Sequence, residues 1–145
     1  PALHALFRDP EAMRYGSRPP HTDMAQTMEI LNRSLADNAA GRGDTLAVLH
    51  KGSLIGYAGL WRQDEIGFMF VRSIWSTGLA HEALTAVVAR ARAGGHRHIT
   101  ADVDPENIRS LKILKRLGFT ITGEAKNTCC VAGKLADSVY LELIL

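Results

Sequence analysis

Cysteine is nearly absent from this sequence: there are two, Cys129 and Cys130, and they are adjacent. Neighbouring residues rarely reach disulfide geometry with each other, so no internal disulfide framework is expected. A reducing, cytosolic location is the default reading. No run of 18 apolar residues occurs, which excludes a membrane-spanning helix. The opening PALHALFRDP does not read as a signal peptide, and it lacks an initiator Met. Charge of neither sign dominates, since 17 Lys and Arg face 15 Asp and Glu for a net charge of +2. No basic stripe interleaved with aromatics points to nucleic acid. The tightest basic cluster, Lys112, Lys115 and Arg116, suits one solvated helix face as well as an anion site. The six histidines lack metal-ligand spacing, and His96 and His98 flank a turn, so no metal is expected.

What is present is the material of one ordinary domain spanning residues 1–145. Apolar residues at 46% and charged residues at 22% provide a core and exclude disorder. Asp9-Pro10-Glu11 reads as an N-cap, a first-turn proline and an acid, predicting a short helix to about Tyr15. Pro19-Pro20 marks a loop. Asp23 with Gln26 resembles a capping box, and Met24, Met28, Leu31 and Leu35 recur at helical spacing as a core-facing stripe. Strands are predicted over 45–50, 54–61 and 65–71, with a turn at Lys51-Gly52-Ser53. A helix over about 78–92 ends at Gly94-Gly95, a strand covers 98–103, and a helix from Asp104-Pro105 ends at Leu117-Gly118. Strands over 119–122 and 138–144 follow. The order α-α-β-β-β-α-β-α-β-β predicts a mixed α/β sheet with helices on its faces.

Two segments carry chemistry. In Trp75-Ser76-Thr77-Gly78-Leu79-Ala80-His81-Glu82-Ala83-Leu84, a strand passes through a glycine turn into a helix. The first N–H groups of a helix have no internal partner and sit at its positive end, a ready place for a phosphate. A plain strand-to-helix turn explains the segment equally well, and the GK[ST] ending of a nucleotide-triphosphate loop is missing. The second segment is Asp104-Pro105-Glu106-Asn107-Ile108-Arg109-Ser110-Leu111, leading into Leu114-Lys115-Arg116-Leu117-Gly118-Phe119. Asn107 and Ser110, three apart, share a helix face, with Ile108, Leu111 and Leu114 on the buried side. The plain reading is that Asn107 only caps the helix.

Taken together, W-x-x-G-x-A-x-E-A-L, P-E-N-x-x-S and L-K-R-L-G-F look like the GNAT superfamily of N-acetyltransferases, and most like its RimJ/RimL-type branch. The resemblance covers nearly the whole chain, including Pro19-Pro20-His21-Thr22 and Gly133 to Val139. It implies the GNAT acyl-CoA N-acyltransferase fold, α/β (α+β), with a mostly antiparallel mixed sheet flanked by helices. That fold has a strand before its first helix, and this sequence begins at the helix. The resemblance also implies acetyl-CoA as co-substrate and an amine as acceptor, a small molecule or a peptide N-terminus such as that of a ribosomal protein. Ser76, Thr77, Gly78, Leu79 and Ala80 would cradle the pyrophosphate, with His81 beside it. Phe70, Val71 and Arg72 would pair with the pantetheine arm, at a bulge that aims an N–H at the thioester carbonyl. Asn107 would bond the arm, and Ser110 would lie near the sulfur.

Direct attack on a thioester needs a neutral amine, so a base helps. Glu65 opens the strand that leads to the cofactor loop and matches a position where relatives carry a carboxylate. A solvated strand-end acid is the plain alternative, and Asp64 is the nearest substitute. Relatives often use a Tyr of the last helix as the acid; Lys112-Ile113-Leu114-Lys115 has none, so Ser110 takes that place. His21 falls in a loop that lines the acceptor groove in relatives. Acceptor specificity is expected in the first two helices and a loop over Lys126 to Lys134. The alternatives are a catalytically weak acyl-CoA-binding module of the same fold and a phosphate-binding Rossmann-like domain, the latter lacking its G-x-G-x-x-G. The assembly is expected to be a monomer or a homodimer.

Overall fold

The computed structural model describes residues 1–131 and 134–145, with residues 129–131 described by their backbone alone. The side chains of Cys129 and Cys130, and Gly133, therefore lie outside the described residues. The elements are α1 (Ala2–Arg8), α2 (Met24–Ala39), β1 (Asp44–His50), β2 (Ser53–Arg62), β3 (Glu65–Phe70), α3 (Leu79–Ala93), β4 (His98–Val103), α4 (Ile108–Arg116), β5 (Thr120–Val131) and β6 (Lys134–Ile144). A single 3₁₀ turn, Arg72–Ile74, follows β3. The element order is the expected one. The six strands lie in the order β1-β2-β3-β4-β6-β5, antiparallel except for β3 beside β4.

Local rules account for most boundaries. The β1–β2 hairpin turns through Lys51 and Gly52, both at positive φ, as a two-residue turn that matches strand twist requires. The α2 capping box forms, with Gln26 N–H donating to Asp23 Oδ1 at 3.0 Å and Asp23 N–H to Gln26 Oε1 at 3.3 Å. In α3, Leu84, Val87 and Ala91 form a buried stripe against the sheet. They join Ile66, Phe70, Ile99, Ala101, Val139, Leu141 and Leu114 in the main core.

Four expectations need correction. The first helix is Ala2–Arg8, and Asp9 is its C-cap; the Asp9 carboxylate still accepts the Glu11 N–H at 2.9 Å, but the chain only turns there. Burial of Leu6 and Phe7 holds α1 where no capping signal marks it. The Met24, Met28 and Leu35 stripe is outward, with Met28 43% and Leu35 57% exposed. The α4 helix starts at Ile108 with Asn107 as N-cap, and Ile108 is exposed rather than buried. Lys126 to Lys134 is largely hairpin strand, not loop, because β5 and β6 pair as far as Val131↔Lys134.

The buried residue of α2 is Thr27, and it explains the helix's placement. Its hydroxyl lies 2.7 Å from His4 Nδ1 and 2.8 Å from His21 Nδ1. His21 is 5% exposed and stacks on Phe7 at 4.7 Å between ring centroids. The loop histidine thus closes a small second core between α1, α2 and the sheet face carrying Tyr57, whose ring is 5.7 Å from Phe7. Burial, reinforced by the positive charges of His4 and Arg18, lowers the His21 pKa below the ordinary 6.5. The unfolded chain then binds the extra proton first as pH falls. Stability from neutral His21 is complete above 6.5 and is lost as pH drops through the lowered folded value. Urea midpoints measured from pH 7 down to pH 5 should fall, and His21→Gln should flatten that slope while lowering stability at pH 7.

Candidate active site

The β3–β4 junction is the structural basis of the site. The two parallel strands pair at one position, Glu65↔Thr100, with Thr100 N–H donating to the Asp64 carbonyl at 2.8 Å. Beyond that rung they diverge, so the far end of β3 faces a gap. On the β2 side, Val71 N–H donates to Ile55 O at 2.9 Å in a regular antiparallel register from Leu60↔Ile66 to Gly56↔Phe70. The alternation of such a ladder turns the N–H and C=O groups of Phe68 and Phe70 toward the gap.

This refines the expected contacts. The groups turned to the gap are the main-chain N–H and C=O of Phe68 and the N–H of Phe70, and Phe68 went unnoticed because only parity against β2 reveals it. The Phe70 carbonyl accepts the Trp75 indole N–H at 3.0 Å, and its side chain is buried in the core. The Val71 N–H is spent on β2. Arg72 lies in the 3₁₀ turn, and its Nε donates to Asp9 Oδ2 at 2.7 Å, tying the end of α1 to the end of β3. The expected bulge at 70–72 is not there; the β2–β3 irregularity lies between Leu60 and Arg62.

The glycine loop leads from β3 into α3. Ser76 (φ 65°) and Gly78 (φ 89°) both take left-handed backbone, which turns the chain sharply. Gly78 caps α3 without a side-chain bond, and a Cβ built on it meets nothing within 4 Å. The loop is braced from behind by Thr77 Oγ1 donating to Ile74 O at 2.6 Å. Its outer side therefore offers open space beside the unsatisfied N–H groups of the first helical turn, including those of Ala80 and His81, at the positive end of a 15-residue helix. That arrangement fits a diphosphate.

The second segment reaches the same place. The Arg109 guanidinium stacks 3.7 Å from the Trp75 ring centroid, which sets the start of α4 against the glycine loop. Asn107 Oδ1 accepts the Ser110 N–H at 3.2 Å, so Asn107 does cap the helix as the plain reading has it; its amide NH₂ is not used in that bond. Tyr15 donates its hydroxyl to Glu106 O at 3.1 Å, bringing the segment after α1 onto the same turn.

Glu65 sits elsewhere, about 16 Å back along β3 from Phe70 at strand rise. It shares a face with Gly67, Met69 and, across the rungs, Thr100 and Glu142. That face is opposite to α3. Burial raises its pKa above the ordinary value, and the Trp61 indole and Arg62 guanidinium pull it partly back. Asp64 is not a free substitute. Its carboxylate lies 2.6 Å from His96 Nδ1 and 3.3 Å from His98 Nε2, and these bonds lower its pKa. The spacing of His96 and His98 gave no hint of this meeting, because the partner comes from the distant β2–β3 turn.

Among the described residues, no helix is long and apolar enough to cross a membrane. The model of the acetyltransferase (GNAT) domain family matches residues 1–120. The N-acetyltransferase p20 of Bacillus licheniformis is 28% identical over 152 residues, covering 99% of this chain and 85% of that protein. The ribosomal protein uS5-alanine N-acetyltransferase of Escherichia coli (strain K12) is 35% identical over 79 residues, 54% of this chain and 41% of that protein. The fold is that of RimL, a ribosomal L7/L12 α-N-protein acetyltransferase solved in complex with coenzyme A, with a TM-score of 0.88 at 19% identity over 100% of this chain and 88% of that one. The diverging strands, the uncapped glycine loop and the match across most of the chain agree: this chain belongs to the GNAT acetyltransferase family, enzymes that transfer an acetyl group from acetyl-CoA.

Proposed function

We propose that this protein acetylates a primary amine by direct attack on acetyl-CoA, and that the acceptor is a protein N-terminal amine, as for the uS5-alanine relative. The observation that carries the reading is the placement of Glu65 at the vertex of the β3–β4 gap, half-buried, on the face opposite to the glycine loop's helix. Acetyl-CoA supplies the activated acyl carbon. With its diphosphate at Gly78 to His81, its thioester end runs back along β3 toward Glu65. Phe68 and Phe70 offer main-chain groups along that path, and Asn107 and Ser110 flank it from α4.

Glu65 takes a proton from the amine, and its raised pKa brings it nearer the pH at which it works. As the amine nitrogen bonds the carbonyl carbon, the carbon–sulfur bond breaks and the thiolate leaves. Ser110 solvates or protonates that thiolate. Ser110→Ala is accordingly expected to lower kcat by less than the 10²-fold that marks the low end for losing a general base. Acetyl-CoA binding should be little changed, as read by CoA release against cofactor concentration.

The decisive experiment is a panel of acceptors assayed for free CoA release: peptides with N-terminal Ala or Ser, polyamines, aminoglycosides and free amino acids. Turnover of the peptides above the rest supports the reading. Turnover of another class alone replaces the acceptor and keeps the chemistry. Cofactor binding with no turnover of any amine would favour an acyl-CoA-binding module.

A further inference from the structure

Glu65 is held by the weakest part of the sheet. On one side the β2–β3 register breaks between Leu60 and Arg62, directly opposite it. On the other side β3 and β4 share one rung, Glu65↔Thr100. Glu65 is paired once on each side, to Arg62 beyond the break and to Thr100, and neither ladder runs on in register through it; a one-residue slip of a strand turns each side chain to the other face.

Asp64, the residue before it, is gripped from several directions. Its carbonyl accepts from Thr100 N–H at 2.8 Å. Its Oδ1 is 2.6 Å from His96 Nδ1, in the turn after α3, and its Oδ2 is 3.3 Å from His98 Nε2, at the start of β4. The second ring nitrogen of His98 lies 3.0 Å from Glu142 Oε1 on β6. Both nitrogens of His98 are thereby engaged and its ring orientation is fixed. One chain of contacts runs His96–Asp64–His98–Glu142 and locks the β2–β3 turn, β4, β6 and the turn after α3 together. Asp64, His96 and His98 also line a cavity of about 400 Å³ with Gly94, Gly95 and Arg97, so the clamp stands at the surface and not in the apolar core.

We propose that Asp64, clamped by His96 and His98, is the positioning residue of the acetyl-transfer site, fixing Glu65 on the acceptor face where a single rung toward β4 and a break in the β2 register hold it least. This rests on Glu65 acting as the base. Asp64 touches neither substrate; it acts through its neighbour. The glycine loop lies at the far end of β3 and is braced independently by Ile74, Trp75 and Arg109.

The test is a double-mutant cycle of Asp64→Ala and Glu65→Gln, with Asp64→Asn as the conservative variant. Asp64→Ala should lower kcat by roughly 10²-fold, the scale of a small misplacement of a reacting group. The KM for acetyl-CoA and the cofactor-induced thermal shift should stay unchanged, which general unfolding would not permit. Asp64→Asn, which keeps one acceptor and gains a donor for the two imidazoles, should recover most of the rate. In the Glu65→Gln background, Asp64→Ala should add almost nothing, because residues acting as a unit are not additive. Additive losses would overturn the proposal, as would a normal rate in Asp64→Ala while Glu65→Gln is impaired; the base assignment survives both. If Glu65→Gln is fully active while Asp64→Asn and Asp64→Ala both collapse, the base assignment fails and Asp64 itself takes the proton, which also overturns positioning.

Discussion

Glu65→Gln is expected to lower kcat by roughly 10²–10⁴-fold while leaving acetyl-CoA binding intact. The change keeps the shape of the side chain and removes its charge. The loss should be largest near neutral pH, where an acceptor amine is mostly protonated, and should shrink as pH rises toward the amine's own pKa. The wild-type acid limb carries a second signature. Burial raises the Glu65 pKa, so the carboxylate is protonated, and the base disabled, at a higher pH than an exposed glutamate would show. The rate should therefore fall with acid before ordinary carboxylates titrate, and Glu65→Gln should lack that limb. A stopped assay of CoA release from pH 5 to pH 9 checks both features. Equal rates for wild type and Glu65→Gln across the range would remove Glu65 from the chemistry.

Gly78→Val is expected to erase the stabilisation that acetyl-CoA and free CoA give the wild type. A ligand at 100 times its Kd stabilises the native state by about 2.7 kcal/mol. In a domain of this size that raises Tm by roughly 5–10 °C. The outer side of Gly78 is open, so a valine there fills the space in which the proposed function seats the diphosphate. The same residue sits at φ 89°, which costs any L side chain about 1–2 kcal/mol, so the variant's own baseline falls by a few degrees. The comparison is therefore each protein with and without cofactor in a thermal-shift experiment. Gly78→Ala shares the backbone strain but fills less space, and should keep part of the shift. A full shift in Gly78→Val would place the diphosphate somewhere other than this loop.

Much of the architecture could be read directly where local chemistry decides it. Lys51-Gly52 announces a hairpin, Asp23 with Gln26 announces a helix start, and Gly94-Gly95 marks the end of α3. Failures came where distant contacts override local preference. Asp9-Pro10-Glu11 has the chemistry of a helix start, yet burial of Leu6 and Phe7 places the helix before it. The Met24, Met28 and Leu35 stripe has helical spacing, yet the helix turns inward the polar Thr27, whose hydroxyl meets two histidines from outside the helix. The backbone turn of the glycine loop and the Asn107 cap of α4 were legible because each is a contiguous motif. The parity of Phe68 and the meeting of Asp64 with His96 and His98 were not, since they depend on strand register and on pairing across more than thirty residues.

A sheet joined at one rung is mechanically two leaves. β1, β2 and β3 form one hydrogen-bonded plate, and β4, β6 and β5 form the other, with α3 as the covalent strap between them. Motion about the Glu65↔Thr100 hinge changes the width of the opening without breaking a ladder inside either plate. Amide exchange should reflect that division. Protection within each plate should follow its own opening energy, and ligand in the gap should slow exchange most at Phe68 and Phe70, whose amides face the opening. The cofactor would then serve as the missing rungs of the ladder, adding main-chain contacts to the apolar core that already joins the two plates.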